Sequence, residues 1–346
     1  MALNYQKICS NLLGGLPERT KDVLLRRFAL QTLASGEGGE RETLESIGKS
    51  YNLTRERVRQ IEGDGMTCLK KPEVLKLATP TFNYFQDHFK NQGGLKREDI
   101  LLSELGQNKF QNCVFFLLTL GDPFLRYNET EVHYPFWTTK PDLVPLSQEI
   151  ISHFVDEFQK ASKPIPKTEF FEIEVRELKN KYGRVVNSSF LVSSYEIAKK
   201  IEENPFGEIG LIDWPEIIPR GIKDRAYIVL KKEGKPLHFT AVTEKIKKLN
   251  LSALVLLQTV HNELIKDPRF ILVGRGTYAL SEWGYKPGWV RDIILEVLKE
   301  AKKPLTGEEI IEKVLNQRLV KVNTILLNLS NKEYFLRTED GKYTLK

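Results

Sequence analysis

Cysteine is scarce in this chain of 346 residues, and its three copies, Cys9, Cys68 and Cys113, lie far apart in the sequence. An odd and widely spaced set predicts neither a disulfide framework nor the paired spacing of a zinc site. Such cysteine usage is typical of a protein in a reducing cytoplasm.

Histidine is almost as rare, and its five copies stand without a cysteine or histidine partner at metal-ligand spacing. We therefore expect no metal site and no other cofactor. Phosphate-loop, kinase and Gly-x-Ser-x-Gly signatures are absent, and no Lys-Ser or Lys-Thr follows the glycine-rich stretch 35–40, which predicts a loop. The sequence thus predicts no catalytic residues and a protein that is not an enzyme. The histidines are His88, His133, His153, His238 and His261.

Long apolar runs are missing as well, since none approaches the roughly 18 residues that a membrane helix requires. The apolar residues 113–118 predict a short buried helix. The chain starts without a basic region followed by an apolar one, so we expect no signal peptide. With 41% hydrophobic and 28% charged residues the composition is globular, and a net charge of +6 permits a nucleic-acid partner without requiring one.

Residues 43–72 combine helical periodicity, a turn and a dense row of cations. They predict two short helices joined at Tyr51-Asn52-Leu53, the second capped by the hydroxyl of Thr54. Counted at about 100° per residue, the apolar and polar residues of the second helix fall on opposite faces. The core face comprises Val58, Ile61, Gly65, Cys68 and Leu69, and the outer face comprises Arg55, Glu56, Arg59, Gln60 and Gly63, with Arg57 beside them.

This stretch resembles region 4 of bacterial primary-type sigma factors, the domain that reads the upstream promoter hexamer. The resemblance rests on residues 43–48, 52–62 and 69–72, and residues 16–30 look like the leading helix of that region. It covers residues 12–72 and departs from the family at Gly63, Gly65 and Met66, where helix formers are usual. Each glycine costs about 1 kcal/mol relative to alanine, so we expect the end of the second helix to be less stable than usual.

The resemblance implies a role for each residue of the outer face. Contacts to base edges in the major groove are implied for Arg55, Glu56 and Gln60, whose groups suit guanine, cytosine and adenine respectively. Phosphate contacts are implied for Thr54, Arg57, Arg59 and Lys70.

Beyond residue 75 a second pattern repeats. It consists of an amphipathic helix, a Lys-Pro-apolar triplet that predicts a short extended piece, two further helices and a hairpin. An Asp-Pro or Asn-Pro motif is expected to close the last helix of each unit, and the four tryptophans to fill contacts between hairpins and cores. The triplets lie at 163–165, 235–237 and 303–305, and the Pro motifs at 122–124, 204–206 and 267–270.

The repeated order predicts winged-helix units. The predicted fold is mainly α, with an N-terminal helix-turn-helix domain followed by tandem winged-helix (α+β) units. We place the first domain at 1–75 and the units at 76–141, 142–220 (irregular), 221–286 and 287–346. The third unit resembles the HARE-HTH module, which occurs in the delta subunit of some bacterial RNA polymerases and in chromatin- and restriction-linked proteins. That resemblance rests on residues 226–230, 235–240, 267–270 and 274–283.

The predicted third helices of the units carry few cations, although this helix often reads DNA in winged-helix proteins. Their composition favours protein contacts over direct DNA contacts and leaves both open. The helices lie at 108–120, 189–201, 251–265 and 319–329, and their cations are Lys109, Lys199, Lys200 and Lys321.

The sequence as a whole predicts a cytoplasmic, nucleoid-associated transcription regulator that binds double-stranded DNA through residues 43–72. The expected protein partner is the core of bacterial RNA polymerase, with self-association as a further option and no membrane partner. A counterpart of sigma region 2 is not recognisable, so we do not expect the chain to open promoters alone. One alternative is a polymerase-associated accessory protein that docks through the helix at 16–30. Another is the DNA-recognition subunit of a defence or modification system.

Overall fold

The computed structural model describes residues 4–30, 39–107, 109–183, 186–249 and 255–346. These residues are mostly helical and contain small antiparallel sheets, which confirms the prediction of a mainly α chain. The chain forms two compact units, one of residues 1–203 with 207–211 and the other of residues 204–206 with 212–346. Most of the predicted glycine-rich loop lies outside the described residues.

The first unit begins with helices that surround the predicted turn. The helix before residue 16 was not expected from the sequence, because its short apolar stripe lacks a strong start or stop signal. The elements are α1 (Tyr5–Leu13), α2 (Glu18–Arg27), α3 (Leu44–Tyr51), α4 (Arg55–Leu69) and α5 (Pro72–Leu75).

Four tail segments follow, and all repeat one order of elements: a helix, an extended piece, two helices and two strands. The first segment (79–138) contains α6 (Thr79–Asn91), β1 (Leu95–Arg97), α7 (Glu98–Gly106), α8 (Gln111–Leu120), β2 (Leu125–Tyr127) and β3 (Phe136–Thr138). The second (143–211) contains α9 (Leu143–Ala161), β4 (Ile165–Pro166), α10 (Lys167–Tyr182), α11 (Ser188–Ile197), β5 (Ile201–Glu203) and β6 (Glu208–Leu211).

The third and fourth segments lie in the second unit. The third (222–283) contains α12 (Ile222–Glu233), β7 (Leu237–His238), α13 (Phe239–Lys248), α14 (Leu257–Lys266), β8 (Phe270–Gly274) and β9 (Thr277–Leu280). The fourth (290–345) contains α15 (Val290–Ala301), α16 (Gly307–Leu315), α17 (Val322–Leu329), β10 (Phe335–Arg337) and β11 (Tyr343–Leu345). The predicted capping box is present, because Thr306 N donates to Glu309 Oε2 at 2.7 Å and Glu309 N donates to Thr306 Oγ1 at 3.2 Å.

Each sheet has the same strand order, with the last strand of the segment in the middle. The orders are β1-β3-β2, β4-β6-β5 and β7-β9-β8, all antiparallel. In the fourth segment Leu305 pairs with Tyr343 of β11 in an isolated bridge, and β11 also pairs with β10. The extended pieces predicted from the Lys-Pro-apolar triplets are therefore confirmed at all three positions.

One Pro motif lies elsewhere than predicted. Asn204-Pro205-Phe206 connects β5 to β6 and does not close a helix, since α11 has already ended at Ile197. Asn204 Oδ1 accepts a hydrogen bond from Phe206 N at 2.9 Å. Such an Asx turn reverses the chain in a hairpin as readily as it ends a helix, so the motif alone did not distinguish the two.

The tryptophans also differ from the prediction. Trp137 in β3 is 2% exposed and belongs to the core, and Trp283 packs against the core of the third segment. Trp289, by contrast, is 77% exposed. It occupies the N-cap position of α15, where the apolar stripe that faces the core has not yet begun.

The first tail segment shares one hydrophobic core with α1 and α2. The ring of Phe28 lies 5.0 Å from that of Phe116 in α8, in an edge-to-face arrangement. Asn112 Nδ2 donates to the carbonyl oxygens of Ala29 and Gly39, each at 3.3 Å. Helix α8 is therefore covered by the N-terminal helices and belongs to the same folded body as they do.

Two cysteines meet in this core. Cys9 of α1 and Cys113 of α8 are 0% and 1% exposed, and their side chains form a hydrogen bond. That bond and burial raise the pKa of the Cys9 thiol. The sequence distance between them hid this contact, whereas Cys68 is exposed and stands apart.

A buried lysine joins the first and second segments. Lys96 in β1 is 3% exposed, and its Nζ lies 3.2 Å from Glu104 Oε1 and 2.9 Å from Glu196 Oε2. Ser193 Oγ in α11 also donates to the carbonyl oxygen of Gln92 at 2.6 Å. A buried cation is tolerated when carboxylates pair with it, so these contacts hold α11 against β1.

Among the helices in the described ranges, none combines the length and the apolar character needed to cross a membrane.

Candidate nucleic-acid interface

The turn between α3 and α4 is built from local hydrogen bonds. Thr43 Oγ1 accepts from Ser46 N at 3.1 Å at the start of α3, and Thr54 Oγ1 accepts from Arg57 N at 3.2 Å at the start of α4. Between them Asn52 adopts the left-handed conformation, with φ at 54°. Asparagine tolerates this region better than most residues, so the predicted turn and N-cap of α4 are present.

Gly48 determines how closely the turn can fold back on α3. Leu53 N donates to Gly48 O at 2.9 Å, and a Cβ atom at Gly48 would lie 2.7 Å from Leu53 O. A side chain at this position would push the turn outward and change the angle between α3 and α4.

A small core orients α4. Val23, Ile47, Val58 and Ile61 are buried together where α2, α3 and α4 meet. Gly65 and Leu69 continue the buried stripe of α4, as predicted. Cys68 was predicted on that stripe and is exposed, because it lies about 80° around the helix from Val58, at the stripe's edge.

The outer face of α4 carries two side-chain pairs and one separate arginine. Arg59 Nε and Nη2 donate to Glu56 Oε2 and Oε1 at 2.9 and 2.7 Å. Arg57 Nη1 donates to Gln60 Oε1 at 3.0 Å. Within the described chain, the Arg55 guanidinium has no hydrogen bond or ion pair, and it is exposed.

Each pair joins a residue predicted to contact a base with one predicted to contact a phosphate. The hydrogen bonds from Arg59 lower the pKa of the Glu56 carboxyl, and they raise the pKa of Arg59. The two side chains are 59% and 64% exposed, so water screens their attraction and the pair opens at little cost. The face therefore presents its amide and carboxylate groups in a fixed order without holding them rigidly.

The structure brings six of the seven predicted site residues together and leaves one apart. Thr54, Arg55, Glu56, Arg57, Arg59 and Gln60 all lie in the first part of α4. Lys70 follows the other end of the helix, roughly 22 Å away at the usual rise per residue. Its Nζ lies 3.8 Å from Asp122 Oδ1. A phosphate contact by Lys70 stays a prediction, and it requires DNA to follow the whole length of α4.

Residues that position α3 and α4 escaped the sequence reasoning. Arg26 Nε and Nη2 donate to the two oxygens of Glu42 at 2.7 and 2.6 Å, and Arg27 Nε donates to Glu62 Oε1 at 3.2 Å. Tyr51 also donates from its hydroxyl to an oxygen of Asp22 at 2.7 Å. These bonds fasten α2 to both helices. The adjacent arginines of α2 were a visible signal, but their partners follow no sequence period.

In the parts of the chain that the structure describes, histidine, cysteine, aspartate and glutamate form no group of three or more that could hold a metal ion.

Comparison with known families identifies two parts of the chain. Residues 12–71 match the family model of sigma-70, region 4. They span α2, the turn and α4. Residues 220–283 match the HARE-HTH model, described as an ASXL and restriction endonuclease HTH domain, and this match coincides with the third tail segment. The two matches indicate a DNA-binding helix-turn-helix protein.

Curated relatives resemble the first of these parts. The RNA polymerase sigma factor SigA of Microcystis aeruginosa is 42% identical over 62 residues, which are 18% of this chain and 14% of the relative. SigA of Clostridium acetobutylicum is 41% identical over 65 residues, 19% of this chain and 16% of the relative. The RNA polymerase sigma-C factor of Nostoc is 37% identical over 73 residues, 21% of this chain and 16% of the relative. The chain thus spans about a seventh of the length of these relatives.

Proposed function

We propose that this protein is a sequence-specific DNA-binding transcription regulator without catalysis of its own. Helix α4 reads promoter-type double-stranded DNA in the major groove, and the four tail segments are tandem winged-helix units that contact protein partners. The observation that carries the proposal is the outer face of α4, where Arg55 has no hydrogen-bond or ion-pair partner within the described chain and two exposed pairs stand beside it. The match to sigma region 4 supports this role.

The chemistry of the face suits base reading and phosphate contact together. Arg55 offers a forked donor to guanine, Glu56 accepts from the amino group of cytosine, and Gln60 pairs with adenine. On DNA, Arg57 and Arg59 exchange their present partners for phosphates, which releases Gln60 and Glu56 towards the bases. The hydroxyl of Thr54 accepts from the backbone and keeps its proton for a phosphate oxygen.

The third helices of the tail segments support partner contacts. Among α8, α11, α14 and α17 the only lysine or arginine is Lys266, at the last position of α14. Helix α8 lies under α1 and α2, and α11 lies against β1, so neither presents a face to a DNA groove. Helices α14 and α17 expose leucine and isoleucine where a DNA-reading helix carries cations.

RNA polymerase is the partner that the printed names of the sigma-factor relatives suggest. The expected docking route through residues 16–30 is occupied in this chain, because Leu24, Phe28 and Leu30 are buried in the core shared with α8. We therefore propose that polymerase core is contacted through other surfaces. The accessory-protein alternative acts through the same surfaces, without DNA reading by α4.

Selection of bound sequences from random DNA by the full chain tests the proposal. Arg55→Ala should relax the preference at one position, where a good base contact discriminates by about 1–3 kcal/mol. Arg59→Ala should weaken binding to all sequences alike and reduce the slope of log affinity against log salt by about 1. Arg176→Ala, which removes an exposed arginine of α10, is the control and should change neither. Unchanged preference and affinity in both α4 variants would refute the assignment.

Capture of purified polymerase core by the full chain separates the two functions. Capture of the core together with selective DNA binding supports the proposed regulator. Capture by a chain that shows no DNA affinity would instead establish the accessory protein.

A further inference from the structure

The fourth tail segment exposes an unusual amount of apolar side chain. Trp289 is 77% exposed, Leu327 75%, Leu319 49%, Leu326 42% and Val322 41%. We call these five residues the fourth-segment apolar surface. Large apolar side chains scattered singly are ordinary on a protein, whereas a group of this size on one short segment marks an interaction site.

These side chains lie close together. Leu319, Val322 and Leu326 follow the spacing i, i+3, i+7, which places them on one face of α17 and its entry. Arg318 Nη1 donates to the carbonyl oxygen of Gly288. That bond holds the residue before Leu319 against the residue before Trp289, so the tryptophan lies beside the α17 face.

The charges around this surface have one sign. Between residues 315 and 332 the charged residues are Arg318, Lys321 and Lys332, and that stretch contains no carboxylate. Lys321 and Lys332 are exposed and form no ion pair with any described residue. An apolar strip beside unpaired cations is complementary to an apolar strip beside carboxylates.

Two other kinds of occupant fit less well. Helix α17 itself carries no cation, so it offers DNA little to bind. Helices that lie on membranes carry cations across their polar face, whereas the polar residues of α17 are Asn323, Thr324 and Asn328, all uncharged. The surface therefore favours a protein partner.

We propose that the fourth-segment apolar surface binds an acidic amphipathic helix of a partner protein. The apolar face of that helix packs on α17 and Trp289, and its carboxylates approach Lys321 and Lys332. Trp289 and Leu327 are the principal anchors, because exposed aromatic and large apolar groups dominate such interfaces. This inference rests on the proposed function in one respect, the assignment of the tail to partner contacts.

A labelled synthetic peptide tests the proposal on the full chain. The probe is a helix of about 18 residues with leucine at i, i+3, i+4 and i+7 and glutamate elsewhere, and its control has lysine in place of every glutamate. Fluorescence anisotropy should show saturable binding of the acidic probe, at least tenfold tighter than binding of the basic one. Binding should weaken further as salt is raised, because the lysines contribute through charge.

Variants locate the binding surface. Leu327→Ser and Trp289→Ser should each weaken binding of the acidic probe at least tenfold, and Lys321→Glu with Lys332→Glu should reverse the preference between the two probes. Leu77→Ser, at a leucine that is 51% exposed in the first unit, is the matched control and should bind as the wild type does.

Three results would overturn the proposal. The first is equal binding of both probes or binding unaffected by the variants. The second is binding of the chain to anionic lipid vesicles that Leu327→Ser abolishes. The third is self-association, measured by sedimentation, that Leu327→Ser abolishes, since a second copy would then be the occupant. Sequence selection from random DNA by the same variants shows whether α4 reads DNA, so failure of this inference is distinguishable from failure of the proposed function.

Discussion

Two glycines of α4, two residues apart, have opposite surroundings and predict opposite effects of the same substitution. A Cβ atom at Gly63 meets nothing within 4 Å, whereas one at Gly65 would lie 2.7 Å from Thr20 Cγ2 and 3.1 Å from Leu24 Cδ1. Both alanines gain about 1 kcal/mol of helix propensity. Only Gly65→Ala also crowds α2, at a typical cost of about 1–3 kcal/mol.

The difference between the two variants isolates the crowding, because helix propensity cancels. Gly63→Ala should stabilise α4 by about 1 kcal/mol, and Gly65→Ala should be less stable than Gly63→Ala by about 1–3 kcal/mol. Native-state amide exchange of Val58 and Ile61 in the full chain measures this locally, which matters because a chain with several cores need not unfold in two states. Equal changes in the two variants would show that α2 does not press on Gly65, and the reasoning would be wrong.

Two further predictions concern the fastening of α2 and the cysteines. Hydrogen bonds from Arg26 lower the pKa of the Glu42 carboxyl from its usual 4.5, so their stabilisation is present above that pH and is lost as the pH falls through the folded-state pKa. Glu42→Gln should cost about 1 kcal/mol near neutral pH and progressively less in acid, as measured by amide exchange of α2; a cost independent of pH would contradict this. In the native chain Cys68 should react readily with a maleimide while Cys9 and Cys113, 0% and 1% exposed, do not. Mass spectrometry should find one added label, and two or three would refute the buried pair.

Local signals in the sequence predicted local structure well. The hydroxyl of Thr54, the helical spacing of Val58 and Ile61, and the Lys-Pro-apolar triplets act within a few residues of themselves. The helix start, its buried face and the extended pieces follow from such short-range chemistry and are present in the structure. The recurrence of one pattern along the chain then predicted that the tail repeats one order of elements.

Long-range contacts left no comparable signal. Phe28 meets Phe116, Cys9 meets Cys113, and Lys96 meets Glu196, each across about a hundred residues. Any of these residues is compatible with many partners, and only the packing of whole helices selects one. The same reason explains why the sequence suggested a weakened end of α4, whereas the structure shows that Gly65 lies where α2 crosses and has no room for a side chain.

The candidate site was predictable in its membership and not in its internal pairing. The residues from Thr54 to Gln60 were placed on one face by helical geometry alone. The pairing of Glu56 with Arg59 and of Arg57 with Gln60 depends on rotamers that periodicity does not reveal. Lys70 matched the family motif as well as the others did, although the length of α4 separates it from them.

The core shared by α2 and α8 limits how this reader of DNA can be transplanted. Excising residues 79–138 would return Phe28, now 7% exposed, to water and forfeit about 1.5–3 kcal/mol from that side chain alone. Such a loss is a large fraction of the net stability of an ordinary domain. A chimaera that borrows this DNA specificity therefore has to carry the first tail segment with it, and inherited substitutions in α8 will register as changes in DNA affinity.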